Sequence, residues 1–285
     1  MSTRRLLDRF LGTICAGSAA TCCALLLGIL SVITWRGLGA VDWEFLTTAT
    51  RSGGAAGGVL YQILGTLVLV LTALLVCAPL SLSLGLLHSV YLRDHALRRP
   101  LSLTLYLLNG VPSILFGIIG MIVFVRYLDW GKSWLAGGVL LALMMLPTAT
   151  IAFIEKIARV PQSQLEAASG LGLRRSAQIR TVIVPQSVGG LLTGLLLALA
   201  RAVGETAPIM FTATIFSGAT LPAGVRDSPV LSLPYHIFIL AQDSASPDTR
   251  SRIWATALVL LSLVVLWSLL SLPARLRLHE PSAHR

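Results

Sequence analysis

Apolar positions along this chain fall into uninterrupted blocks rather than into the stripe that one face of a soluble helix would show. Residues 10–35, 59–92, 101–125, 133–154, 186–217 and 253–272 are predominantly Leu, Val, Ile, Ala and Gly. Each exceeds the roughly 18 residues at which an apolar run reads as a membrane-spanning helix. Apart from Arg201 and Glu205, charged residues are confined to the segments between them, so the pattern predicts an all-α polytopic membrane protein with six spans. The run at 10–35 follows Arg4-Arg5, but it outlasts the 7–15 apolar residues of a cleavable signal, and it is expected to be the first span.

Breaks within the runs carry further information. The second run is about 50 Å long as a helix, against a hydrocarbon core of about 30 Å, so tilt, extension beyond the bilayer or a kink at Pro79 is expected. The third contains Asn109-Gly110-Val111-Pro112-Ser113 in mid-span. Irregular backbone at that depth is tolerated where it faces protein or a water-filled cavity, so Asn109 and Ser113 are candidates for lining a path, with ordinary helix packing as the alternative. The fourth has its own break at Pro147, and the stretch 37–58 reads as a flexible Gly/Ala/Thr-rich outer connection. Within the second outer stretch, 218–252, residues 231–240 are apolar enough to lie at the interface or to fold back on the core.

Charge then orients the chain. The N-terminus (Arg4, Arg5, Arg9), the second loop (Arg93, Arg98, Arg99), the fourth loop (Lys156, Arg159, Arg174, Arg175, Arg180) and the tail (Arg275, Arg277, Arg285) carry twice the Lys and Arg of the opposite loops. Those are Arg36 and Arg51, Arg126 and Lys132, and Arg226, Arg250 and Arg252. The positive-inside bias therefore puts both termini and the loop 155–185 in the cytoplasm. The net charge of +10 is distributed by topology, without a basic cluster interleaved with aromatics, so nucleic acid is not an expected partner. All four cysteines lie in apolar runs and read as packing residues, with no His nearby to suggest a metal.

Two features stand apart from the apolar background. In the loop 155–185, Pro161 opens a short run of helix formers, Gln162 to Ala168, which Gly170 and Gly172 then stop. A second short turn is expected at 173–180, and Pro185 marks entry into the fifth span. A helix–Gly–helix element of this kind is a rigid knob suited to a partner's groove. It comes without a Ser/His/Asp set, metal-ligand spacing or phosphate-binding glycine loop. The second feature is Arg201 with Glu205, the one base and one acid placed well inside a predicted span. At i, i+4 they share a helical face and partly neutralise each other, offsetting a charge cost of at least about 2.5–3.5 kcal/mol. Either they form a structural pair tying the fifth span to a neighbour, or they line the path of a charged solute, since an Arg fork matches an oxyanion bidentately.

Glu166-Ala167-Ala168, Gly172 after three intervening residues, and Val182-Ile183-Val184-Pro185 nine residues further resemble the EAA signature of permease subunits of ATP-binding-cassette (ABC) importers. Val182 and Val184 stand where that signature has Ile and Leu. The string Ala200-Arg201-Ala202-Val203-Gly204-Glu205-Thr206-Ala207-Pro208 resembles the PstA-type permease family of phosphate importers, from about residue 60 onward. Asn109–Ile114 and Leu233-Pro234-Tyr235-His236-Ile237-Phe238 support the likeness.

The resemblance implies a type I, MetI-like permease core at 59–274 with its coupling loop at 155–185. A first helix and outer connection (1–58) precede that core, and a tail (275–285) follows it. It implies that Gln162, Leu165, Glu166, Ala167, Ala168 and Gly172 couple to a separate ATPase, and that Arg201, Glu205, Thr206, Asn109 and Ser113 line the substrate path. The implied partners are a sister permease subunit, an ATP-binding subunit dimer, an extracytoplasmic phosphate-binding protein and the bilayer of a bacterial inner membrane. The chain itself would be a transport subunit, not an enzyme, with no cofactor of its own, ATP being bound by the partner. A permease for another oxyanion or small solute would use the same loop. A secondary transporter would need internal coupling groups, and a membrane enzyme several convergent His or carboxylate side chains.

Overall fold

The computed structural model describes residues 3–51, 54, 56–216, 218, 221–242 and 246–279. Five helices among them are long and apolar enough to cross a membrane: Phe10–Leu38, Leu60–Tyr91, Trp134–Ile157, Arg175–Val203 and Pro247–Leu269. A sixth crossing requires counting one sharply bent pair as a single span.

In chain order, α1 (Thr3–Leu38) is followed by a short α2 (Trp43–Thr47) and the antiparallel strands β1 (Thr50–Arg51) and β2 (Ala56–Gly57). Next come α3 (Leu60–Leu86), a π-helical turn (Leu87–Tyr91), α4 (Arg98–Asn109), α5 (Ser113–Gly120) and a second π turn (Met121–Tyr127). Helices α6 (Trp134–Ile157), α7 (Gln162–Gly170) and α8 (Arg175–Gln178) lead through a third π turn (Ile179–Ile183) into α9 (Val184–Val203). Helices α10 (Ala207–Thr212), α11 (Leu233–Gln242) and α12 (Pro247–His279) complete the fold.

The core is a trio, α3, α6 and α9, packed along their lengths. Small residues set that packing, because lipid offers no hydrophobic drive between helices and close backbone approach must supply dispersion contacts instead. Gly194 of α9 lies against Ala149 and Ala152 of α6, where an added Cβ would stand 3.0 Å from the Ala149 Cα. Phe153, Leu69, Leu141 and Met145 fill the interior at 2% exposure or less. By contrast, none of the apolar window of α1 is buried. That helix packs chiefly on α12, where Gly37 abuts Leu258 and the Arg36 guanidinium sits 5.3 Å from the Trp254 ring centroid.

Several boundaries differ from the hydropathy reading. The connection 37–58 is ordered where described rather than a plain linker. Asp42 caps α2 by accepting the Phe45 N–H at 2.6 Å, Phe45 is buried, and Arg252 donates to the Gly57 carbonyl. The third run is not one weakened span: α4 and α5 meet at about 100° across Gly110–Pro112. Pro112 removes an N–H and biases Val111 away from helical geometry, so the chain turns there. The fifth span ends at Val203 instead of continuing to 217 (residue 217 lies outside the described residues), and α10 is a separate short helix. Its N-terminal end also begins earlier, because helical structure is continuous from Arg175 through Pro185. Of the two options for 231–240, folding back is what occurs. Leu233, Pro234, His236 and Leu240 of α11 are buried, and the Leu231 carbonyl lies so close to Gly65 of α3 that a Cβ there would meet it at 1.9 Å. Asp243 of the outer stretch and tail residues 280–285 lie outside the described residues.

Candidate functional site

The Arg201–Glu205 couple sits at a helix end, not in mid-span. Arg201 occupies the last turn of α9, Gly204 is the C-cap, and Glu205 is the next residue, with Thr206 preceding α10. A cation there is favoured by the partial negative charge of the helix C-terminus. Arg201 Nε contacts Glu205 Oε1 at 3.5 Å, side-on, and among the described residues the terminal guanidinium nitrogens make no hydrogen bond. The Arg201 side chain is 48% exposed and that of Glu205 16%. The couple is therefore local to its own turn and does not tie α9 to a neighbouring helix of this chain, while the fork of Arg201 is open to a bidentate acceptor.

The second break lies beside it in the fold. Helix α5 advances alongside α10: Gly117 packs on Ala207 and Pro208, and Gly120 packs on Thr212. Ser113, which opens α5, and Thr206, which precedes α10, thus lie at the same end of this pair. Ser113 and Thr206 are both half-buried. Asn109, at the end of α4, accepts a hydrogen bond on Oδ1 from Thr148 Oγ1 of α6 at 2.9 Å. Thr148 was not among the expected path residues, although the neighbouring Pro147, noted as a break, was a signal for it. The five expected path residues are thus gathered at two adjoining helix interruptions, in the setting where irregular backbone is tolerated inside a membrane protein.

The knob in the loop 155–185 forms as the spacing suggests. Pro161 is the N-cap of α7, and its ring suits a position whose N–H would lack a partner in any case. Gly172 has φ +73°, a conformation that costs an L-residue roughly 1–2 kcal/mol, with nothing within 4 Å of where its Cβ would be. Gly172 apart, the expected coupling residues, all on α7, divide in two. Gln162, Glu166 and Ala167 are exposed, whereas Ala168 is buried and Leu165 packs against the core. Leu165 and Ala168 therefore anchor α7, and the other three form its free face. The Gln178 amide donates to Ser169 Oγ at 3.1 Å and to the Leu173 carbonyl at 2.8 Å, and Gln186 donates to Gln164. These bonds tie α7 to the helix that runs unbroken from Arg175 to Val203. A cleft of about 220 Å³ beside α7 is lined by Gln162, Glu166, Ser169, Arg175 and, from the loop before α4, Arg93 and Asp94. Those last two join the knob through tertiary folding, which no local spacing announces.

Residues 77–277 match the family described as the binding-protein-dependent transport system inner membrane component. Over 257 residues the chain is 32% identical to the phosphate transport system permease protein PstA 2 of Mycobacterium bovis, a match covering 87% of this chain and 83% of that one. A Bacillus subtilis relative, YqgI, is named as an ABC transporter permease without a substrate, and is 25% identical over 277 residues, covering 93% and 94% of the two chains. Among solved structures, a chain from inward-facing conformations of the MetNI methionine ABC transporter superposes with a TM-score of 0.59 at 16% identity. It covers 78% of this chain and 95% of that one, a likeness of fold alone.

Proposed function

The chain belongs to the family of binding-protein-dependent transport system inner membrane components, and from that premise we propose that it is the PstA-type permease subunit of an ATP-driven importer of inorganic phosphate. As a multi-pass permease of an ABC importer it works with an ATPase and a substrate-binding protein. The finer reading adds a sister permease, with which it forms the path, and a cytoplasmic location for both termini. It also adds phosphate as cargo. The chain holds no cofactor in this reading, and ATP binds to the partner subunits.

The observation that carries the phosphate reading is the Arg201 fork, anchored by Glu205 through one nitrogen and open at the other two. A tetrahedral oxyanion offers paired acceptors at the spacing such a fork recognises. Glu205 holds the guanidinium when no anion is present and accepts the proton of hydrogen phosphate when one is. The PstA 2 name of the relative at 32% identity supports the same cargo.

Energy enters at α7. Closure of the ATPase dimer displaces the exposed face formed by Gln162, Glu166 and Ala167, and the displacement passes through Leu165, Ala168 and the glutamine bonds to the helix Arg175–Val203. That helix is about 43 Å long at 1.5 Å per residue and ends next to the Arg201–Glu205 break. One rigid element thus joins the knob to the anion site, and its tilt switches the site between outward and inward access.

The test is radiolabelled phosphate uptake by cells with and without the gene, in the presence of excess sulfate. The proposal expects uptake that depends on the gene and is unaffected by sulfate. Uptake unchanged by deletion, or equal displacement by sulfate, would remove phosphate as the cargo.

A further inference from the structure

A second polar cleft lies on the cytoplasmic side of the core, between the end of α6 and the start of α9, apart from the knob. It holds about 240 Å³ and is lined by Ala152, Glu155, Lys156, Arg159, Gly189, Gly190, Thr193 and Leu197. A water occupies about 30 Å³ of liquid volume, so there is room for a small hydrated anion.

The helical register connects this cleft to Arg201. On α6, Thr148, Ala152 and Glu155 recur at spacings of four and three, which is one helical face, and Arg159 follows in the turn just beyond the helix end. On α9, Gly190, Thr193, Leu197 and Arg201 recur at three, four and four, again one face. The helices run antiparallel, with Gly190 against Lys156 and Gly194 against Ala149, so the two faces border a common groove. Descending from Arg201, the groove meets the Thr148–Asn109 hydrogen bond, then Thr193, then Lys156 and Arg159. Each helical step is about 6 Å, and Thr193 lies about 12 Å from Arg201 along α9.

The charges at the lower end are disposed to receive an anion. Lys156 and Arg159 outnumber Glu155, and among the described residues neither cation forms an ion pair or a side-chain hydrogen bond. Gly190 makes room for the Lys156 stem: a Cβ at 190 would stand 2.3 Å from the Lys156 Cβ.

We propose that this cleft is the release half of the translocation path, where an oxyanion leaving Arg201 is received by Lys156 and Arg159 before entering the cytoplasm. It rests on the anion-permease reading above and adds residues that neither the motifs nor the family string contain. Lys156, about 12 Å along α6 from Thr148, and Arg159 in the turn beyond it lower the barrier to moving a negative charge inward. Glu155 keeps the anion from being held there.

The test is charge-selective labelling of the assembled transporter. Leu197→Cys is placed in a background with Cys15, Cys22, Cys23 and Cys77 replaced by alanine. It is then reacted from the cytoplasmic side with an anionic and a cationic methanethiosulfonate of similar size. The anionic reagent should react about ten-fold faster or more, since a cleft lined by one sign of charge concentrates the opposite ion. Adding Lys156→Gln and Arg159→Gln should bring the ratio close to one, and Lys156→Arg should preserve it. Inorganic phosphate should slow labelling by the anionic reagent more than potassium chloride of equal ionic strength does, because both screen the cleft but only phosphate occupies it. No labelling, equal rates with the two reagents, or a ratio unmoved by the double substitution would overturn the proposal. Absence of phosphate uptake by the unmodified transporter, with the anion preference intact, would instead remove phosphate from the proposed function and leave the cation-lined release cleft standing.

Discussion

Single residues show how burial decides chemistry in the outer part of this molecule. His236 of α11 is 4% exposed, with its Nδ1 3.5 Å from the Gln62 amide of α3. Burial, reinforced by the Arg252 guanidinium, pushes the imidazole down to about 4 from its ordinary 6.5. A base whose pKa falls on folding binds fewer protons in the native state than in the unfolded one. Its contribution is therefore complete above about pH 6.5 and is lost as the pH drops toward 4, up to about 3 kcal/mol in all. The thermal midpoint of the detergent-solubilised protein should fall through that window, and His236→Gln should flatten the fall. An unchanged acid limb in the variant would show that His236 does not report the folding of the outer cap. Arg201 differs in kind: it is half-exposed and lightly held, as suits a group that must exchange partners.

At the scale of elements, the knob rests on one backbone angle. Gly172 turns the chain between α7 and α8 at φ +73°, and open space surrounds its Cβ position, so replacement acts through the backbone alone. Gly172→Val should cost about 1–2 kcal/mol locally, whereas Gly172→Asn should be far milder because Asn tolerates that region. Transport-coupled ATP hydrolysis by the assembled complex should follow the same order, with helical content unchanged. Equal loss in both variants would mean the turn geometry is not what matters.

This element was legible in advance because Pro, helix formers and Gly occur in a local order that dictates cap, helix and stop. The breaks were legible only in part. Asn109 to Ser113 announced an interruption, but a 100° bend depends on α5 finding α10 to pack against, which hydropathy does not encode. The run 186–217 is apolar through Gly204, so its pattern concealed that the helix ends at Val203. The connection 37–58 looked like a linker because its order comes from distant partners, notably Arg252 on the Gly57 carbonyl. Likewise the two roles within Gln162 to Ala168, anchoring and presenting, follow from what lies beneath α7.

As a whole, the molecule is a three-helix core, α3, α6 and α9, that carries interrupted helices on one flank and extends a coupling knob from one end. The helix α1 is held to the rest chiefly through α12. The distribution of Lys and Arg predicts that a C-terminal alkaline phosphatase fusion is inactive and a C-terminal fluorescent protein fusion bright. The reverse pair of results would invert the topology and put the knob on the wrong side for an ATPase. The central claim is that one open guanidinium at the end of a rigid, knob-driven helix handles the anion. Its most direct test is ATP-driven accumulation of radiolabelled phosphate in proteoliposomes holding this chain with its sister permease, ATPase and binding protein. Arg201→Ala should cut accumulation by about ten-fold or more, as expected when a charge-assisted hydrogen-bond partner of the anion is lost, while the subunits still co-purify. Accumulation close to that of the unmodified complex would contradict the account.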